Sequence, residues 1–183
     1  MNRIDGSTVF VSSWSGGGSY ETIFLTKRYL DMGVGQRAVI FIFGINDIIE
    51  HYNHPSHFHL TNQEWERHLT FMMRPLRDFL VEYRHKFNSL FATDIFPVTA
   101  AYGPVGSSYK ADRINHIVAR YNVHLRDLIE SFGGEFILTG LQPGMDGVHL
   151  QQVRNGPLEQ KPKILFAHMV RDVVYASFKR NHN

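Results

Sequence analysis

Short apolar runs alternate with longer stretches whose apolar residues recur every three or four positions, a pattern that predicts an α/β protein. The first run covers residues 8–11, and the small-residue cluster 12–19 (SSWSGGGS) follows it at once. Ile23, Phe24, Lys27 and Leu30 then stand at helical spacing, predicting a helix that ends near Gly33. Ala38, Val39, Ile40, Phe41, Ile42 and Phe43 form an unbroken apolar run closed by Gly44. Such a run predicts a strand buried on both faces, inside a parallel sheet.

Thr61 and Glu64 are spaced as a capping box for a helix over residues 61–87, which Pro75 must kink or break. Within it Phe71, Met72 and Met73 are expected in the core. A third strand is predicted over 90–98, its regular part cut short by Pro97. Residues 99–110 read as a loop. The helix over 111–132 places Ile114, Ile117, Val118, Tyr121, Leu125, Leu128 and Phe132 on one stripe, and Gly133-Gly134 stops it. A strand over 135–139, a loop over 140–149 and a last helix over 164–178 complete the order. Right-handed crossovers turn this order into a three-layer α/β/α sandwich with a mainly parallel sheet of four or five strands, active at the strand C-terminal ends.

Composition narrows the class. The 183 residues, 43% hydrophobic and 20% charged, are ordinary globular values, and residues 1–183 read as a single domain. The absence of cysteine excludes a disulfide scaffold, a thiolate zinc site and a cysteine nucleophile. No apolar run reaches the ~18 residues of a membrane span, and the N-terminus has no signal-peptide core, so a cytoplasmic protein is expected. Nineteen basic against seventeen acidic residues leave a net charge of +2, which is weak evidence for a nucleic-acid partner.

Two motifs sit where such a fold keeps its chemistry. Gly44-Ile45-Asn46-Asp47 directly follows the buried strand. The glycine lets the chain leave the sheet sharply, and the asparagine amide can stabilise an oxyanion. The plain reading is a turn with an Asx cap for the next helix. Asp146-Gly147-Val148-His149 lies in the loop before the last helix. Its spacing lets the carboxylate stand behind the imidazole, the base half of a hydrolytic triad.

Together these motifs resemble the SGNH (GDSL-type) hydrolases, in order and spacing over residues 8–178. The resemblance implies an esterase in which a serine attacks an acyl carbonyl, His149 takes its proton, Asp146 orients His149, and Gly18 and Asn46 bind the oxyanion. It further implies a small acyl or acetyl ester as substrate, met by Gly44 and Asp47, and no cofactor.

The family's first block, Gly-Asp-Ser, is absent or degraded here, and two alignments stay open. In one, the glycine turn 15–19 is the second block, Gly18 (or Gly17) gives the oxyanion amide, and the nucleophile lies outside the chain or is lost. In the other, residues 11–15 are a degraded first block, Ser13 is the nucleophile and the second block is deleted. Serines beside glycines otherwise serve turns and caps. Some SGNH-like domains lack a working triad and bind RNA or protein partners, and this is the competing reading.

His51, His54, His57 and His59 crowd one polar segment. Imidazoles so spaced suit zinc or nickel, but a polar loop before a capped helix is the preferred reading and no metal is expected. Lys27, Arg28, Arg74, Arg77, Arg84, Lys86, Lys161, Lys163, Lys179 and Arg180 alternate with acids, which predicts a mixed solvated face rather than an RNA surface.

Overall fold

The computed structural model describes residues 2–4, 7–9, 18–33, 38–42, 44–57, 59–143, 148 and 162–180. Strand β1 (Asn2–Ile4) pairs antiparallel with β2 (Ser7–Val9), Asn2 opposite Val9. Residues 8 and 9 of the first apolar run therefore lie in a two-stranded ribbon, not in the parallel sheet as expected, and residues 10 and 11 lie outside the described residues. Helix α1 (Ser19–Asp31) leads to β3 (Ala38–Phe41), and α2 (Ile45–Asn53), α3 (Asn62–Met72) and α4 (Arg74–Tyr83) follow before β4 (Ser89–Thr93). Helix α5 (Ser108–Ser131), β5 (Glu135–Ile137) and α6 (Pro162–Arg180) close the order. No helix among the described residues is long and apolar enough to cross a membrane.

The second sheet has the order β3-β4-β5 and is parallel throughout, with Ala38 opposite Ser89 and Phe91 opposite Glu135. Three strands therefore form the parallel sheet among the described residues. Every residue of β4, the middle strand, is buried, as expected of a parallel strand covered on both faces. Strand β4 ends at Thr93, four residues before Pro97.

The capping box forms as its spacing predicts. The Thr61 hydroxyl accepts from the Glu64 amide at 3.3 Å, and the Glu64 carboxylate accepts from the Thr61 amide at 2.7 Å. The long helix breaks at Met73, and Pro75 sits in the first turn of α4, where its missing N–H costs nothing. Met72 and Met73 are buried, whereas Phe71 is 54% exposed. That exposure corrects the expectation for Phe71: the buried face of α3 is Trp65, Leu69 and Met72, and the position next to Met72 points about 100° away. Phe24 on α1 is exposed for the same reason, beside buried Ile23. On α5 the buried stripe is as expected, with Ile129 added and Leu128 and Phe132 at its half-buried margin.

Candidate functional site

Gly44 ends the segment after β3 and begins α2. Its φ of +124° belongs to the region that glycine tolerates. A Cβ there would come within 2.5 Å of Ile95 Cδ1 and 2.9 Å of the Tyr121 ring. The Gly44 carbonyl accepts the Ile48 amide at 3.0 Å, so the turn is at once the strand exit and the first helical bond. The expected turn therefore opens α2, which covers part of the segment expected to be a polar loop. Ile48, Ile49 and Tyr52 bury its inner face. Asn46 and Asp47 both lie in its first turn, half-buried.

Asp47 reaches α1. Its two carboxylate oxygens accept from the Ser19 amide at 3.1 and 2.9 Å. Carboxylates suit helix N-termini, where backbone amides lack intrahelical partners. Burial pushes the Asp47 carboxyl up to about 6, with Glu21 and Glu50 adding to the rise and the hydrogen bonds from Ser19 opposing it. Close approach also explains the glycine at 18, since a Cβ there would overlap the Asp47 carboxylate. The structure thus joins Gly18, Gly44 and Asp47, members of two separate sequence clusters. The Gly18 amide already donates to the Glu21 carboxylate at 2.9 Å. Ser13, Asp146 and His149 lie outside the described residues.

Asp94, which the sequence did not single out, ties the ends of two strands. It accepts from the Thr139 amide at 3.0 Å and hydroxyl at 2.7 Å, fixing the start of the loop that leads to Asp146 and His149. The loop after β4 is held to α5 by two asparagines acting as ladder substitutes. Asn122 bonds the amide and carbonyl of Ile95 at 2.8 and 3.0 Å, and Asn115 does the same for Val98 at 2.7 and 2.9 Å.

An open cleft of about 410 Å³ runs past Ser19, Tyr20, Asp47, His51, Phe71 and Arg74. At its wall the four histidines of the sequence separate. His51, in the last turn of α2, meets His68 of α3 rather than His59, with His68 Nε2 2.9 Å from His51 Nδ1. His57 joins them, its ring tilted against that of His68 at 4.4 Å between centres and stacked on that of His51 at 5.6 Å. His54 bonds Ser56 instead. Burial lowers the affinity of His51 and His68 for protons, the latter to about 4, and the neighbouring imidazoles add to the fall.

No family model matches this chain, and no curated protein does. Among solved structures it resembles a catalytic mutant of Axe2, an acetylxylan esterase from Geobacillus stearothermophilus. The TM-score is 0.51 at 17% identity, over 86% of this chain and 68% of that one. A second Axe2 mutant, described as an acetyl-xylooligosaccharide esterase, gives a TM-score of 0.50 at 17% identity, over 85% and 67%. The likeness is one of fold: the chain follows the fold of these esterases.

Proposed function

We propose that the chain is an SGNH-type serine ester hydrolase acting on small acyl or acetyl esters. The observation that carries this reading is the junction of Gly44, Asp47 and Gly18 at the C-terminal end of β3, in a fold like that of an acetylxylan esterase. In this reading Ser13 Oγ attacks the acyl carbon while His149, oriented by Asp146, takes the hydroxyl proton. The carbonyl electron pair moves onto oxygen, where the Asn46 amide and the Gly18 N–H hold it. Collapse expels the alcohol, which leaves with the proton from His149, and water then releases the acid by the same steps. Gly44 and Asp47 shape the place where the acyl group sits.

The Gly18 N–H donates to the Glu21 carboxylate in the structure, so in this reading an oxyanion takes the place of that helix-capping bond. The same reading takes residues 1–183 as one domain, a three-layer α/β/α sandwich of four or five strands, at work in the cytoplasm without a cofactor.

Labelling with a fluorophosphonate probe and mapping of the tagged peptide test the proposal. The expected result is a tag on Ser13, lost in Ser13→Ala and His149→Ala. Folded protein that takes no label overturns it, and leaves an inactive SGNH-like domain that binds RNA or a protein partner, to be examined next by RNA-binding assays.

A further inference from the structure

We propose that His51, His57 and His68 form a binding site for a zinc ion, joining α2, the turn after it and α3. One nitrogen from each lies within 4.8 Å of the other two. The rings come from three separate pieces of backbone. Each is half-buried against an apolar wall, with the Trp65 ring meeting His68 edge-on at 5.5 Å and Phe71 stacked on it at 6.1 Å.

Second-sphere geometry supports the assignment. His57 Nδ1 lies 3.0 Å from the His51 carbonyl. A carbonyl only accepts, so Nδ1 carries the proton and Nε2 keeps a lone pair for an ion, the orientation that metal-bound histidines take from backbone partners. His51 Nδ1 and His68 Nε2 stand 2.9 Å apart. Tetrahedral zinc at ~2.0–2.1 Å from each nitrogen sets them about 3.4 Å apart, so a small ring rotation admits the ion. His57 sits on a turn, where closing the remaining span strains no helix.

Donor chemistry selects the metal. Three neutral imidazoles and no carboxylate suit zinc and the other borderline ions, and poorly suit magnesium or calcium, which need oxygen. Three ligands leave a fourth position for water or an anion. The inference does not rest on the ester hydrolase reading, because none of the three histidines is assigned a part in it. His51 nevertheless follows Asp47 by one helical turn and lines the same cleft.

The test is calorimetric titration of the untagged full chain with zinc chloride, repeated with cobalt(II) while visible spectra are recorded. One ion per chain is expected, with the intense visible absorption of four-coordinate cobalt. His57→Gln and His68→Gln should each weaken zinc at least about tenfold, whereas His54→Gln and His59→Gln leave it unchanged. Zinc should raise the melting temperature of the parent but not of His57→Gln, which lies on the surface turn and decides the matter if His68→Gln does not fold. Absence of saturable binding overturns the site. So does equal weakening by His54→Gln and His57→Gln, which would mark a loose histidine-rich segment, or full-strength binding to His57→Gln.

Discussion

Asp47 shows how one residue can serve a motif and a fold at once. Its carboxylate is half-buried, accepts the Ser19 N–H on both oxygens, and faces Glu21, Glu50 and the buried Tyr121, whose hydroxyl is pushed up by burial first and by the Asp47 charge second. Desolvation outweighs those bonds, so the folded carboxyl holds its proton up to a pH of about 6, against 3.8 in an ordinary setting. The folded state therefore binds more protons than the unfolded chain between those values, and stability falls as pH rises through that window. Asp31, Glu64 and Glu66 have lowered values and act in the opposite sense at lower pH. Asp47→Asn keeps an oxygen for the Ser19 amide and removes the charge. Urea titrations between pH 4 and pH 6 should show parent stability declining relative to Asp47→Asn as pH rises; parallel curves would mean that Asp47 ionises freely. The Gly44–Asp47 turn was legible because its chemistry is local: a glycine after a buried strand, then polar residues.

Elements were legible where a single face is buried and less so where tertiary contact chooses the face. The stripe of α5 and the capping box of α3 follow from spacing alone. Helix α2 hides because Asn46, Asp47, Glu50, His51 and Asn53 make it look like a loop, while its inner face needs only Ile48, Ile49 and Tyr52. The histidine cluster hides for a different reason. His68 is 17 positions from His51 and meets it only through the way α3 lies beside α2. The loop after β4 is the clearest case of structure without periodicity, since side-chain amides from α5 replace a strand. Removing Asn122 leaves the Ile95 amide and carbonyl without those partners, and buried backbone groups left so cost about 1–3 kcal/mol each. Asn122→Ala should therefore lower stability by about 2–6 kcal/mol in chemical denaturation. It should also raise hydrogen exchange at Ile95 and at the Thr139 amide, which Asp94 holds. A loss under 0.5 kcal/mol with unchanged exchange would show that the loop is held by packing instead.

At the scale of the molecule, one core runs from Ile23 of α1 to Val148. The α/β class follows from the alternation of elements, but the sheet's extent does not, because residues 7–9 find an antiparallel partner in residues 2–4. Two segments separated by only two residues can pair as a hairpin, and the hydropathy of either run alone does not announce that choice. Continuity of the core has a measurable consequence. Phe79 of α4 is fully buried, meets Phe41 of β3 edge-on at 5.6 Å and stacks on Tyr83 at 5.3 Å. It therefore joins helix to sheet within the cluster. Phe79→Ala removes an aromatic ring from a close-packed site and should cost about 3–5 kcal/mol, a large part of a typical total of about 5–15 kcal/mol. If the core is one cooperative unit, the urea midpoint drops while the slope stays constant, and tryptophan fluorescence and far-ultraviolet dichroism change together. A first transition in fluorescence, with the helical signal of α5 persisting to higher urea, would mean that the α3–α4 side and the α5 side unfold as separate units.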